Sequence, residues 1–508
     1  MSDKIKTLSE IEDILDKHKK NKEKIVQCHG VFDLLHPGHI RHFNEAKKQG
    51  DRLVVTLTPD RFVNKGPGRP VFNQDLRVET IAALESVDYV VLNDQPDAVN
   101  AIKHVKPNVY VKGKEYQDSD KDVTGKIIDE RIAVEKEGGE IYFTDDIVYS
   151  SSSLINQFIA PPSPEVLEFL NLLKSKYSSD EILNKINDLR TLKVLIIGDA
   201  ILDEYQYVDL LGQSGKGHHF VASLKDSELF LGGSLIIANH VSNFCNNVTL
   251  VAGIGKNCPN LKFINERLNK NVHFCPIYFD KNNTLVKKRY IHREENFLSK
   301  LFETYSSNKS LLNNKSTNEV IEFLRSYSNN YDLVLVPDFA NGFINSEIRS
   351  EISKIKTFTA INAQINSGNR GFNVITHYEK ANFIALNEQE LRLSAHDRRS
   401  EISEIVTRIK RKMSCDNMCI TLGTRGVYCS SNDENGEVIP AFSQNSVDRV
   451  GAGDAFLALT AICLAKKNPL DLSAFIGSIS AALKVQYVGN QKSINSIELS
   501  KYIVRMLK

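Results

Sequence analysis

No strong charge of either sign marks this sequence. Its 64 Lys and Arg side chains stand against 63 Asp and Glu, a net charge of +1 over 508 residues. A chain so nearly neutral has no broad basic field with which to recruit nucleic acid by counterion release. Long apolar runs are missing as well. No stretch of about eighteen apolar residues occurs, so no transmembrane helix and no membrane partner are expected. Met1-Ser2-Asp3-Lys4 leads into a polar helix rather than an apolar signal core, and no secretory leader is expected. Cysteine is sparse and scattered. Of the eight, only Cys415 and Cys419 lie close together, and no second pair stands at zinc-ligand spacing. The sequence reads as a cytoplasmic protein with free thiols. No internal repeat is visible.

What is present is ordinary for a globular chain, 41% hydrophobic and 25% charged residues. Thr7-Leu8-Ser9-Glu10 is a capping box for a short first helix. Apolar runs then alternate with helical stretches. Strands are predicted at Ile25–Cys28, Leu53–Leu57, Tyr89–Leu92, Val109–Val111 and Ile141–Phe143. Helices are predicted near Ile40–Gln49, Leu76–Glu85, Ala98–Val105 and Gly125–Lys136. Such alternation implies a parallel sheet with helices on both faces. The pattern breaks at Ala160-Pro161-Pro162-Ser163-Pro164, which can neither continue a helix nor pair in a sheet. Domains are therefore expected at 1–160 and 191–508, with a mostly helical linker over 161–190. The second series opens at Val194–Asp199 and continues with strands at Val248–Val251, Leu333–Val336, Phe358–Ile361, Phe383–Leu386 and Met418–Leu422. The Ser-, Asn- and Lys-rich stretch Ser306–Thr317 reads as a solvated loop.

The densest chemical signal follows the first predicted strand. Gly30-Val31-Phe32-Asp33-Leu34-Leu35-His36-Pro37-Gly38-His39 stands close behind Ile25–Cys28, and an α/β sheet binds its ligands at the carboxyl ends of its strands. Gly30 permits close backbone approach, and Gly38 lets a helix begin with N–H groups facing a ligand. His36 and His39 can donate hydrogen bonds to phosphate oxygens whose charge grows during phosphoryl transfer. Two histidines satisfied locally at a helix start are the plain alternative. The paired spacing behind a strand favours a nucleoside triphosphate site.

This string resembles the HxGH signature of the cytidylyltransferase-like nucleotidyltransferases, and weaker matches extend over residues 1–160. Ala46-Lys47-Lys48-Gln49-Gly50-Asp51 resembles a helix end that supplies a phosphate-binding lysine, here Lys47. Arg69-Pro70-Val71 followed by Arg77 resembles the substrate and triphosphate segment. Val111-Lys112-Gly113-Lys114-Glu115-Tyr116 resembles a strand end in the nucleotidyltransferase half of bacterial heptose synthesis enzymes. Ser151-Ser152-Ser153 resembles a helix start that grips nucleotide phosphates. The resemblance implies a nucleotide site built from Gly30, Phe32, Asp33, Arg77, Lys112 and Ser151 to Ser153, with His36, His39 and Lys47 catalytic. The implied reaction is attack by a phosphomonoester on the α-phosphorus of ATP or CTP, with Mg²⁺ bridging the phosphates and pyrophosphate leaving.

A second anion motif lies in the other half. Asp448-Arg449-Val450-Gly451-Ala452-Gly453-Asp454 precedes an apolar helical stretch, Leu457–Ala465. Gly451, Ala452 and Gly453 at a helix start offer unhindered N–H groups and the positive end of a dipole. Asp454 beside them can accept a proton from a substrate hydroxyl. A plain glycine turn ahead of a helix is the alternative.

This D-x-x-GAGD string resembles the C-terminal signature of the ribokinase-like, or PfkB, sugar kinases, and the likeness runs over about 190–500. Asp199 and Asp203 resemble that family's sugar-binding aspartates. Gly232 and Gly233 with Asn239 resemble the GG signature that closes on the sugar, and Asp338 resembles a strand end of heptose kinases. Asn387 and Glu390 match an NxxE motif that organises Mg²⁺ through water, and Thr421, Gly423 and Gly426 match an edge near ATP. Two cations usual in heptose kinases are replaced, one within Asn362-Ala363-Gln364 and one within Ala340-Asn341-Gly342. Arg370 is a candidate substitute. Gln213-Ser214-Gly215-Lys216-Gly217-His218-His219 differs from the usual sugar-side lid.

As a whole the chain resembles the bifunctional heptose kinase/nucleotidyltransferase enzymes with the two halves in reversed order. The fold implied is α/β: a Rossmann-like nucleotidyltransferase domain, then a ribokinase-like α/β/α sandwich with a small β lid. The partners implied are a sugar or sugar phosphate and nucleoside triphosphates, with products feeding surface glycan synthesis, and lid exchange implies a homodimer. The alternative keeps only the first activity and makes the second half a degenerate sugar-binding or dimerising module.

Overall fold

The computed structural model describes residues 3–63, 69–114, 126–144, 162–280, 284–294, 297–306, 311–369, 371–431, 436–443 and 446–507. It divides into two units, Met1–Ser163 with Ser500–Lys508, and Pro164–Leu499.

In the first unit, β1 (Ile5–Lys6), β2 (Ile25–Gly30), β3 (Arg52–Leu57), β4 (Tyr89–Leu92), β5 (Val109–Gly113) and β6 (Glu140–Thr144) form one sheet in the order β1-β4-β3-β2-β5-β6. Every neighbouring pair is parallel. A parallel sheet needs both faces covered, and alternate residues do this. Val26, Cys28, Leu53 and Val55 pack toward Phe43 and Ile81, whereas Ile25, Val54 and Val91 pack toward Ile11 and Leu15 of the first helix. That helix, Leu8–Lys20, starts with the expected capping box on Thr7 and Glu10. β2 to β6 fall on the predicted runs, extended by no more than two residues at either end. β1 went unforeseen because two residues carry no periodicity. The chain leaves β2 toward β3 on one side and returns at β5 on the other. The crevice at the carboxyl ends of β2 and β5 is therefore the switch point of the sheet.

The second unit is built on a long strand, β7 (Lys193–Gln213). Its first half lies in the main sheet, parallel to β9 (Asn247–Gly255) and β13 (Leu333–Asp338). Its second half pairs antiparallel with β8 (Phe220–Gly233) and parallel with β11 (Leu285–Glu294), which pairs with β12 (Phe297–Tyr305). These segments are the small lid. The main sheet runs β10-β9-β7-β13-β14-β15-β16-β17-β18, with β10 (Val272–Phe279), β14 (Phe358–Ala363), β15 (Phe383–Asn387), β16 (Asn417–Thr421), β17 (Val427–Ser430) and β18 (Glu437–Ile439).

Two readings need correction. Residues expected in the 161–190 linker form helices Pro164–Lys176 and Ser179–Asn187 within the second unit: Phe169 packs on Phe442 and Phe475 (6.0 Å each), and Lys176 pairs with Asp471 (2.8 Å). The end of the supposed loop Ser306–Thr317 belongs to helix Asn314–Tyr327. There Asn313 Oδ1 caps the N–H of Ser316 (2.7 Å), and the apolar residues Val320, Ile321 and Leu324 repeat at helical spacing.

Candidate active sites

β2 ends at Gly30, and the chain turns through Phe32 with φ +47°. The Phe32 ring meets His39 (5.4 Å) and Phe43 (4.9 Å) edge-on, and a Cβ on Gly30 would press against it. Helix Pro37–Lys47 then begins, with proline at the first helical position. His36 caps it: the Gly38 N–H donates to His36 Nδ1 (3.1 Å). The rings of His36 and His39 stack at 3.9 Å between centroids. Burial lowers the proton affinity of His36, so its imidazole is neutral at pH 7. With Nδ1 accepting, the proton lies on Nε2. That Nε2 is buried and meets no acceptor among the described residues. An unsatisfied buried donor costs about 1–3 kcal/mol, which a phosphate oxygen would relieve. Local satisfaction thus holds for only one of the two His36 nitrogens.

Three expected site residues have other duties. Lys47 donates to Asp88 Oδ2 (2.5 Å) and to the Asp51 carbonyl (2.6 Å). Asp51 and Asp88 precede β3 and β4, so Lys47 lies at the amino edge of the sheet, away from the switch point. Arg77 is fully buried. Its guanidinium is used up on the carbonyls of Phe72 (3.1 Å), Thr58 (3.0 Å) and Val31 and on Asp60 (2.6 Å). Asp33 accepts from the N–H groups of Val71 (2.6 Å) and Phe72 (3.3 Å) and pairs with Arg69. Arg77 and Asp33 shape the motif loop from within rather than hold a nucleotide. Arg69 keeps both terminal nitrogens buried without a partner among the described residues and is the better candidate cation. Lys112 is the penultimate residue of β5, at the switch point, where it pairs with Glu130 (2.8 Å). Ser151, Ser152 and Ser153 lie outside the described residues. His42, which the sequence reading passed over, bonds Thr144 Oγ1 at the end of β6 (2.9 Å).

In the second unit, helix Ala452–Ala465 starts from Gly451, φ +81°, where a Cβ would strike Asn490 Oδ1. Val450, Gly451, Gly453 and Asp454 line a cavity of about 330 Å³. Its other walls include Asp203, Gly233, Lys287 and Arg289 from the lid strands, Asn362 and Gln364 at β14, and Asn387, Glu390 and Thr421 behind β15 and β16. Burial first, then the charge of Asp203, pushes the Asp454 carboxyl up to about 6, while Lys287, Lys484 and Arg289 pull the other way. A base of that strength is suited to near-neutral pH. Arg289 bridges Asp203 (2.5 Å) and Glu303 (3.0 Å). Lys287, buried over the rings of Tyr305 (5.5 Å) and Phe339 (5.7 Å), has no carboxylate partner among the described residues. Neither cation was foreseen. The signal was available: Lys287 and Arg289 alternate along β11, which puts both on one face.

Asn387 and Glu390 form a capping box and also line the cavity. Glu390 Oε2 accepts from the Asn387 N–H (2.8 Å) and Oε1 from the Ile365 N–H (3.1 Å). Burial pushes Glu390 up to about 7, offset by these bonds and reinforced by Asp454. Among the described residues no three His, Cys, Asp or Glu side chains gather as a metal cage. Magnesium, however, usually keeps several waters and takes one or two carboxylates plus substrate phosphates. Each Glu390 oxygen retains a lone pair, so this wall fits a magnesium ion that arrives with the nucleotide.

Of the expected sugar ligands, Asp203 and Gly233 line the cavity and the others do not. Asp199 accepts from the N–H groups of Phe339 (3.1 Å), Asn341 (3.4 Å) and Phe343 (3.3 Å), which fixes that turn. Asp338 is buried on Tyr378 (2.8 Å) and the Ala340 N–H (2.9 Å). Asn239 binds the Arg267 carbonyl (2.8 Å) and the Asn269 N–H (2.9 Å). Gly232 makes room for Asp203. Gly423 and Gly426, at φ +65° and +93°, shape the turn after β16 without lining the cavity. Arg370 lies outside the described residues.

Both halves match known families. Residues 28–158 match the model described as Cytidylyltransferase-like, and residues 286–497 match the pfkB family carbohydrate kinase model. Each match covers less than half of the chain, and each marks its own region as similar to that family. Among its relatives, the "Bifunctional protein HldE" of Aliarcobacter butzleri is 42% identical over 134 residues, 26% of this chain and 28% of that protein. The protein of the same name from Gluconobacter oxydans is 37% identical over 153 residues, 30% of each chain. These matches fall in the N-terminal region and span less than a third of either relative. The crystal structure of phosphofructokinase-2 from Escherichia coli in complex with fructose-6-phosphate superposes with a TM-score of 0.50 at 11% identity, covering 63% of this chain and 100% of that one. That likeness shows the fold of the second unit.

Proposed function

We propose that the chain catalyses two transfers in the synthesis of a nucleotide-activated sugar. The second unit phosphorylates a sugar or sugar phosphate with ATP. The first joins the resulting phosphate to a nucleotide from ATP or CTP and releases pyrophosphate, and the product serves surface glycan synthesis. The observation that carries the reading is Asp454, a carboxyl tuned to about 6, set in the first turn of a glycine-led helix and facing lid cations across one cavity. Asp454 takes the proton of the acceptor hydroxyl. The first-turn N–H groups, with Lys287 and Arg289, face the charge of the transferring phosphoryl group. Magnesium supplies further charge neutralisation when bound. In the first unit, neutral His36 donates from Nε2 to a phosphate oxygen at the switch point.

The alternative of a degenerate kinase unit draws on the two replaced lysines. Asn362 and Gln364 do line the cavity without charge, but Lys287 and Arg289 bring positive charge from the lid. Self-association through the lid belongs to the same reading, supported by its exposed apolar side chains.

The decisive measurement is mass spectrometry of products after incubation with ATP, CTP and a library of sugars and sugar phosphates. Asp454→Asn is expected to abolish phosphorylation and spare nucleotidyl transfer. His36→Ala is expected to do the reverse, with a loss of about 10²–10³-fold, the scale of a lost oxyanion donor. Normal kinase turnover in Asp454→Asn would refute the assignment.

A further inference from the structure

Lys484 ends helix Leu470–Lys484 and is fully buried, and unlike Lys287 and Arg289 it does not line the cavity. Its ammonium donates to the backbone carbonyls of Val450 (3.1 Å) and Gly489. Neither carbonyl belongs to its own helix, so the usual attraction of a lysine to a helix C-terminus does not account for it. Both belong to turns beneath the anion hole. Val450 immediately precedes Gly451. Gly489 precedes Asn490, whose side chain occupies the place a Gly451 Cβ would need, and Lys484 Cε lies 3.1 Å from that place. Asp448 ties the same two turns together, accepting from the N–H groups of Val450 (3.1 Å) and Gly489 (2.9 Å) while held by Tyr205 (2.6 Å) and Lys300 (2.6 Å).

The peptide geometry gives these bonds a consequence. In a trans peptide the C=O of one residue and the N–H of the next point in opposite directions. A Val450 carbonyl turned in toward Lys484 therefore turns the Gly451 N–H away from it, on the side of the turn that lines the cavity. Packing alone gives no reason for a charge at this position, since a buried ammonium costs free energy that two neutral carbonyls only partly offset. Burial pulls Lys484 down to about 8, while Asp448, Asp454 and Asp203 hold it up and Lys300 opposes them.

We propose that Lys484 is the built-in cation of the kinase anion hole, a positioning residue that aims the Gly451 N–H at the transferring phosphoryl group and adds a positive charge behind it. The proposal rests on the kinase reading of this unit. It makes Lys484 distinct from Lys287 and Arg289, which line the cavity and meet the substrate directly.

The test uses the full chain, ATP and the best acceptor from the library. In Lys484→Met, kcat for phosphorylation should fall about a hundredfold, the scale of one misaimed oxyanion donor, with KM for the acceptor nearly unchanged. Lys484→Gln keeps a donor for a carbonyl without the charge and should lose less. In both, the acid limb of the kcat/KM profile should move to higher pH, because Asp454 loses one of the cations that hold its proton affinity down while Lys287 and Arg289 remain. Methylammonium chloride should partly restore Lys484→Ala. Should Lys484→Met fail to fold, Lys484→Gln carries the comparison. Wild-type turnover in Lys484→Met, or a loss with an unmoved acid limb and no rescue, would overturn the proposal. A wild-type chain that consumes ATP with no acceptor would instead overturn the kinase reading itself.

Discussion

Asp454 shows how burial sets a working range. A general base must be ionised to take a proton, so its activity persists above its pKa and is lost as pH falls through it. An ordinary aspartate would stay ionised down to about pH 4. Burial and Asp203 raise Asp454 to about 6, so kcat/KM for phosphorylation should fall with unit slope below about pH 6. A limb that stays near pH 4 would assign the base elsewhere. Arg77 makes the contrasting case of an ion that builds rather than binds. Its removal would leave buried carbonyls and Asp60 without their donor, and Arg77→Met should cost the first unit about 3 kcal/mol. Urea unfolding followed by circular dichroism would measure this, since the chain has no tryptophan to report by fluorescence. Lys47→Ala, at the far edge of the sheet, should leave nucleotidyl transfer within about threefold of wild type, because ligands bind at the other edge. The sequence could not separate these roles. An arginine that shapes a loop and one that holds a phosphate carry the same chemistry, and only the direction of the side chain tells them apart.

Local rules served better at the level of elements. The central strands of both main sheets, β3, β9 and β13 among them, are buried on both faces, which leaves apolar runs that stand out against helical spacing. The H-P-G-H and Gly-Ala-Gly-Asp turns were legible because the first turn of a helix leaves its N–H groups without intrahelical partners, and glycine keeps the approach to them open. The lid strands escaped notice for the converse reason. β11 reads Leu-Val-Lys-Lys-Arg-Tyr-Ile-His-Arg-Glu, a charged alternation whose period of two gives the facing of its side chains but not their burial, which depends on the partners β7 and β12. The glycine turn ahead of Ala452–Ala465 yields a direct test. Gly451→Ala would force a side chain into a left-handed backbone, at about 1–2 kcal/mol, and against Asn490 Oδ1. The turn must shift to relieve both strains. Phosphorylation should therefore fall by at least about a hundredfold, as for loss of an oxyanion donor, while nucleotidyl transfer remains.

For the molecule as a whole, the lid raises a question that one copy of the chain does not answer. Its far end carries large apolar side chains in the open, Phe220 at 81% and Leu211 at 67% exposure, with Leu224 also exposed. Scattered apolar residues on a surface need no explanation, but a cluster on a thin sheet usually marks an interface. A two-faced sheet without cover on its outer part is a poor match to water, and a second copy of the same sheet is the simplest cover, since two-fold symmetry lets one patch complement itself. The chain is accordingly expected to sediment as a dimer at micromolar concentration. Phe220→Glu with Leu224→Glu would place like charges in the centre of that contact and should give a monomer by analytical ultracentrifugation, with nucleotidyl transfer intact. A monomeric wild type, or a charged variant that still dimerises, would remove the lid as the contact. Because β7 and β11 carry Asp203, Lys287 and Arg289 from the same sheet into the cavity, loss of the dimer should also raise KM for the phosphoryl acceptor.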